Sequence, residues 1–256
     1  MNSDPFFTIL TSCLNSEKTL IETLASVRKQ RYQNLEHIII DGGSHNDSLR
    51  ILTDYAGNSR VCWQSEPDRG IAHALNKGLQ LAKGRYILII HGDDRLLDEN
   101  VFSRAYNQLR NEPVDICSYP VLKETPDGGL MPYRPIRLCW WYHFKTIFPH
   151  QGCFVHRRVF ERIGQFRENF AIALDYDFFY RALSSGATVR FGAQPVAIMG
   201  GAGVSSNPAM LEKRLHEEAL TQRMNEKKLF WRMSQKLFQL LYLPYKTRLA
   251  PKLYKK

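Results

Sequence analysis

The chain has 256 residues, 44% of them hydrophobic, enough to bury a sizeable core as one large domain or as a domain with an appendage. That composition excludes a disordered or fibrous chain. The five cysteines, Cys13, Cys62, Cys117, Cys139 and Cys153, are scattered without a Cys-x-x-Cys pair, which argues against a disulfide framework and a structural zinc site. The net charge of +10 points to an anionic partner: nucleic acid, an acidic membrane surface or a phosphorylated substrate.

Phe6 to Leu10 reads as a first strand, followed by Thr11-Ser12-Cys13-Leu14-Asn15. Ser16 is placed to cap a helix from Glu17 to Lys29, with Leu20, Ile21, Leu24 and Val27 on one face. Leu35 to Ile40 is a second strand closed by Asp41-Gly42-Gly43-Ser44; a helix over 47–55 and a short strand at 60–63 follow. The loop Ser65 to Gly70 leads into a helix carrying Ile71, Ala74, Leu75, Leu79 and Leu81. Tyr86 to Ile90 is an uninterrupted apolar run ending in His91-Gly92-Asp93-Asp94, the pattern of a buried strand with two carboxylates at its end. Strand and helix alternate throughout this half, the signature of a parallel sheet with right-handed crossovers.

Beyond the Asp pair the spacing predicts a helix at 99–109, a strand at 114–121 and a hairpin-like turn at Pro126 to Gly129. The aromatic cluster Trp140, Trp141, Tyr142, Phe144 and Phe148 reads as core or as a wall of a binding site. A strand at 150–155, a short helix at 157–163 ended by Gly164, and a helix opening at Leu174-Asp175-Tyr176-Asp177 and closed by Gly186 come next. Two short strands near Val189 and Val196 lead to the small-residue loop Gly200 to Ser206.

Asp41, Asp68, Asp93 and Asp94 fall at strand ends or in loops. In an open α/β sheet the carboxyl ends of neighbouring parallel strands converge on the ligand crevice. Carboxylates there repel a bare diphosphate unless a hard divalent cation bridges the two, as Mg²⁺ does with one or two carboxylates. Taken singly, each of these turns is as readily structural, since Gly and Asp favour turns and Asp bonds its own backbone.

Their ordered set resembles a family-2 inverting glycosyltransferase of the bacterial polysaccharide or lipopolysaccharide type. The matching pieces are Thr11 to Asn15, Asp41 to Ser44, Glu66 to Ile71 with Ala74 to Gly78, His91 to Asp94, His150-Gln151, Leu174 to Asp177 and Gly200 to Ser206. The resemblance implies the GT-A nucleotide-diphospho-sugar transferase fold: α/β, a single mostly parallel mixed sheet flanked by helices. It implies a catalytic domain over residues 1–206 and a helical basic tail over 207–256. It further implies that Asp41 contacts the nucleotide base with Thr11 and Asp68 beside the nucleoside, that Asp93 contacts ribose or sugar, and that Asp94 holds Mn²⁺ or Mg²⁺. Asp175 matches the general base, with Asp177 an alternative base or its support; His150 and Asp177 are candidate acceptor or metal contacts. The implied reaction moves a sugar from a nucleotide-sugar, a UDP-sugar, to a hydroxyl of a growing, lipid-linked glycan such as a polyprenyl-diphosphate saccharide.

In the tail, Phe230, Met233, Leu237, Phe238, Leu240 and Leu241 repeat at helical spacing, and from Lys227 onward nine basic residues occur with no Asp or Glu. A basic amphipathic helix reads either as an element lying on an anionic membrane or as one packing on the domain; Pro244 is expected to end it. Met1 to Pro5 lacks the features of a secretory signal and no run is long enough to span a bilayer. The expected location is the cytoplasm, peripheral at the inner face of the membrane. A nucleic-acid-binding protein on an α/β scaffold is the contrasting class, disfavoured by the acidic crevice and the lack of a recognition motif. A catalytically silent nucleotide-sugar-binding relative is a third reading. A dehydrogenase lacks support, because no Gly-x-Gly-x-x-Gly turn follows the first strand.

Overall fold

The structure is a computed structural model that describes residues 4–57, 60–201, 203 and 207–249. Its centre is β1 (Phe7–Cys13), buried along its whole length. It pairs in parallel with β2 (Leu35–Asp41) on one side and β4 (Tyr86–Ile89) on the other. Between them run α1 (Leu20–Arg28), α2 (Ser48–Tyr55), β3 (Val61–Ser65) and α3 (Ile71–Leu81). Burial on both faces explains the continuous apolar runs. On β4, Ile87 and Ile89 face the core shared with Ala74, Leu75 and Leu79 of α3. Tyr86 and Leu88 face the opposite core with Phe102 of α4 (Val101–Leu109).

The main sheet is completed by β6 (Ile116–Ser118), β9 (Cys153–His156) and β10 (Val189–Phe191), in the order β10-β6-β9-β4-β1-β2-β3. β9 is antiparallel to both β4 and β6, so the sheet is mixed, as expected. A second sheet accompanies it where a single one was expected: β5 (Arg95–Leu96), β11 (Ala197–Met199), β7 (Val121–Glu124) and β8 (Leu130–Tyr133). The predicted strand at 114–121 divides between the two sheets. Pro120 sits at the break, where it has no N–H to continue a ladder. The turn at 126–129 does close a hairpin, β7 to β8. His150 to Gly152 form a 3₁₀ turn ahead of β9 rather than its first residues.

α5 (Arg157–Ile163) and α6 (Leu174–Ser184) end at Gly164 and near Gly186, both at positive φ. Two helices follow, α7 (Leu211–Asn225) and α8 (Leu229–Pro244). The sequence pattern does not reveal α7, because three of its four buried positions, Glu217, Thr221 and Gln222, are polar and only Leu215 is apolar. Pro244 is the last residue of α8, as expected, and a π turn at Tyr245–Leu249 follows it.

α8 packs on the domain through one face. Trp231 stacks on His143 at 4.0 Å and 11°, and Phe238 meets Phe144 and Trp141 at 5.1 and 6.1 Å. The aromatic cluster at 140–148 is therefore partly core beneath this helix. No helix among the described residues is long and apolar enough to cross a membrane.

Candidate active site

The loops after β2 and β4 are fastened to the two sides of the end of β1. Gly42 N–H donates to Cys13 O at 2.9 Å, and Gly92 N–H to Ser12 O at 3.0 Å. From the other direction, Thr19, the N-cap residue of α1, and Thr23, one turn on, donate their hydroxyls to the carbonyls of Gly92 (2.7 Å) and Asp94 (2.6 Å). The Asp pair is thus held at the carboxyl end of three parallel strands, as the sequence places it.

Within that frame the acids divide into those that face the crevice and those spent on the protein. Asp41 is fully buried. It accepts from the Ser44 and Ser65 hydroxyls and from the Gly43 and Ser44 N–H groups. Burial raises its pKa, but these donors outweigh that and hold the carboxyl below the usual range. It lies under the turn, not on its surface. Thr11, expected beside the nucleoside, is also fully buried and bonds the His37 ring at 2.9 Å in the core. That expectation is corrected: strand alternation turns Thr11 away from the crevice.

What does face outward there is Leu14, 54% exposed, with Asp68 across Gly42. Asp68 Oδ1 accepts from Gly70 N–H at 2.8 Å. A Cβ at Gly42 would stand 2.5 Å from Asp68 Oδ2 and 3.4 Å from Leu14 Cδ1. Glycine is required there for the carboxylate to approach the turn. Leu14 and Gly42 lie within the matching pieces Thr11 to Asn15 and Asp41 to Ser44, but neither carries polar chemistry that would give it a role there.

Asp94 is 2% exposed. Its Oδ1 accepts from Gly200 N–H (3.1 Å) and Gln151 (3.3 Å), and its Oδ2 from His91 N–H (3.1 Å). Asp93 is the half-buried member of the pair. A Cβ at Gly200 would stand 2.5 Å from Asp93 O, so only glycine lets this loop close over the pair. Burial and then the charge of Asp93 push Asp94 up to about 6, and burial raises Asp93 as well.

A basic group set among these acids is His150. Its Nδ1 lies 3.7 Å from Asp175 Oδ2, a contact of charges rather than a formed hydrogen bond. Burial lowers its pKa, but Asp175, then Asp94 and Asp93, outweigh that and raise it. Its ring meets His91 edge-on at 5.0 Å. His91 in turn contacts Ser12 Oγ at 2.7 Å, and burial, then His150, lowers it to about 3. His150 Nε2 is buried without a partner, as is Gln151 Oε1.

The two acids at the start of α6 have different fates. Asp175 keeps a half-buried side chain whose Oδ1 accepts from Tyr176 N–H at 2.7 Å and whose Oδ2 faces His150. Asp177 is fully buried. It takes Arg167 and Asn225 on Oδ1 and Arg181 on Oδ2, each at 2.9 Å. As a contact for an acceptor or a metal, or as a base, Asp177 is excluded by this geometry; it is a structural anion.

The position of α6 depends on a residue the sequence did not bring forward. Glu217 of α7 accepts from the N–H groups of Ala171, Ile172 and Ala173 at 3.1, 2.8 and 2.8 Å. It caps the turn from which Asp175 projects and suits the positive end of the helix dipole.

No group of three His, Cys, Asp or Glu side chains among the described residues converges as a metal cage. The available donors are nevertheless those of a hard cation shared with a ligand: an acid raised by burial, and an orphaned imidazole nitrogen and amide oxygen beside it. Ala202 and Val204 to Ser206 of the expected closing loop lie outside the described residues.

Residues 8–174 match the profile of Glycosyl transferase family 2. A glycosyltransferase of Mycobacterium tuberculosis is 32% identical over 185 residues, 71% of this chain and 70% of its own length. Among solved structures, S. aureus TarS aligns with a TM-score of 0.71 at 16% identity, over 96% of this chain but only 44% of TarS; a shorter TarS chain has been solved with UDP-GlcNAc. A mannosyltransferase of Pyrobaculum calidifontis, solved with GDP-Man and Mn²⁺, aligns with a TM-score of 0.70 at 18% identity, over 95% of this chain and 72% of that one. At these identities the structural likeness is one of fold, and that fold is GT-A.

Proposed function

Because the chain belongs to glycosyl transferase family 2, we infer that it moves a sugar, with inversion, from a UDP-sugar to a hydroxyl of a growing, lipid-linked glycan. The observation that carries the catalytic assignment is the contrast on α6: Asp177 is consumed by two arginines, and Asp175 is open beside His150. The acceptor hydroxyl attacks C1 of the donor sugar while its proton passes to Asp175. The C1–O bond to the diphosphate breaks, and its electron pair leaves with the nucleoside diphosphate. His150 opposes the charge of Asp175 and orients it.

Of the Asp pair, Asp93 is the side chain free to meet a ligand, so the metal role expected of Asp94 passes to Asp93. Asp94 holds the loop through His91, Gly200 and Gln151. Mg²⁺ or Mn²⁺ bound there would neutralise charge on the departing diphosphate. His150 Nε2 is the second group available to the cation or to the acceptor. The donors named for the two structural neighbours, UDP-GlcNAc and GDP-Man with Mn²⁺, support a nucleotide-sugar and a divalent cation. The nucleoside would lie against Leu14, Gly42 and Asp68. The acceptor is a polyprenyl-diphosphate-linked saccharide at the cytoplasmic face of the membrane, a reading supported by the basic apolar surface of α8.

Titration calorimetry with donor, with and without Mn²⁺, tests the reassignment. Asp93→Ala is expected to abolish the gain in affinity that Mn²⁺ gives. Asp94→Ala should lower the unfolding temperature instead, and loss of the Mn²⁺ effect in a stable Asp94→Ala alone would return the metal to Asp94.

Gly42→Ala should raise the donor KM about tenfold with little change in kcat, the cost of displacing one hydrogen-bonding carboxylate. Steady-state kinetics at saturating acceptor measure this, and an unchanged KM would remove Asp68 from the nucleoside site.

A further inference from the structure

We propose that the outward face of α8 binds an anionic bilayer surface, with the helix lying in the plane of the interface. The helix has two apolar faces and the fold uses only one. At about 100° per residue, Trp231, Gln235, Phe238 and Tyr242 share the inner side. There Gln235 is buried, donating to His143 O at 2.8 Å and Tyr180 OH at 3.1 Å.

On the opposite side Phe230, Met233, Leu237, Leu240 and Leu241 fall within an arc of roughly 100°. They are 69, 64, 60, 70 and 66% exposed. Single exposed apolar residues are ordinary, but five in one stripe mark an interaction surface.

The charges choose the occupant. Lys227, Lys228, Arg232 and Lys236 are all exposed, and Arg232 and Lys236 border one edge of the stripe. From Lys227 to the end of the chain there is no acidic residue. A second copy docked symmetrically through this face would set like charges against each other with no acid on the helix to pair them. An anionic lipid surface complements both the stripe and its basic edge. A helix of 16 residues is too short to cross a bilayer, so it lies on the surface.

The inner face also ties this surface to the catalytic helix, because Gln235 reaches Tyr180 of α6. Lipid binding on α8 would thus hold the enzyme where a lipid-linked acceptor resides. That consequence rests on the glycosyl-transfer reading; the binding itself does not.

The test is co-sedimentation of the full chain, without donor or acceptor, with vesicles of phosphatidylcholine alone or mixed equally with phosphatidylglycerol. Binding is expected to the mixed vesicles only, and to fall as salt is raised. Leu237→Gln with Leu240→Gln should weaken it at least about tenfold, since each leucine removed from the interface forfeits about that much. Arg232→Gln with Lys236→Gln should weaken it in the same direction, and all variants should keep the wild-type unfolding temperature. The proposal is overturned by a wild type that ignores anionic vesicles, by outward-face variants that bind equally well, or by light scattering that shows a dimer which the leucine variants dissolve. Sugar transfer retained alongside any of these would leave the enzymatic reading standing.

Discussion

Replacing Asp175 by Asn is expected to lower sugar transfer by about 10²- to 10⁴-fold, the range spanned by a positioned general base, and to leave the fold and donor affinity close to wild type. The amide preserves the size of the side chain and can still accept from Tyr176 N–H. It cannot take a proton. Asp175 meets His150 at 3.7 Å, longer than a formed hydrogen bond, so little stability is expected to depend on that contact. Single-turnover kinetics together with a melting curve separate the outcomes. Residual turnover near wild type would move the base elsewhere, and a large fall in melting temperature would make Asp175 structural.

Two residues along the same helix the expected result is reversed. Asp177→Ala removes the shared anion of Arg167 and Arg181, and Arg181 is left with only 10% of its side chain exposed to solvent. Breaking a buried pair by deleting one partner costs about 3–5 kcal/mol. For a chain of this size that corresponds to a fall in unfolding temperature of about 10 °C. Asn225 loses its partner on the same oxygen, which loosens α7 against α6. Asp177→Asn should be milder, because one acceptor remains. Unfolding followed by circular dichroism measures both, and turnover per folded molecule at low temperature should survive. An unchanged melting temperature for Asp177→Ala would contradict the anchoring role.

The architecture was legible where local pattern and tertiary environment agree. The apolar runs of β1, β2 and β4, the turn residues after them and the glycines ending α5 and α6 report themselves through period and backbone chemistry. The division of labour among the acids was not legible, since it is decided by partners remote in sequence. Asp93 and Asp94 are identical neighbours, and the second is claimed by Gly200, brought back through β11. Asp175 and Asp177 share a turn, and Arg167, Arg181 and Asn225 choose between them. Thr11 was misplaced because β1 runs to Cys13 rather than Leu10, which puts Thr11 inside the strand. Glu217 and the rest of α7 were not legible because the buried side of that helix, Leu215 apart, is polar and its pattern shows no apolar stripe. For α8 the packing reading is met by the inner face of the helix, and the membrane reading is the proposal for its outward face.

The central claim is that the crevice at the ends of β1, β2 and β4 binds a nucleotide-sugar with a divalent cation. Thermal unfolding of the wild-type chain with a panel of nucleotide-sugars, each with and without Mn²⁺, addresses it most directly. At a donor concentration near 100 times Kd the expected stabilisation is about 2.7 kcal/mol, seen as a rise of about 5–10 °C that requires Mn²⁺ and favours UDP-sugars. No rise with any nucleotide-sugar, in either condition, would contradict the account.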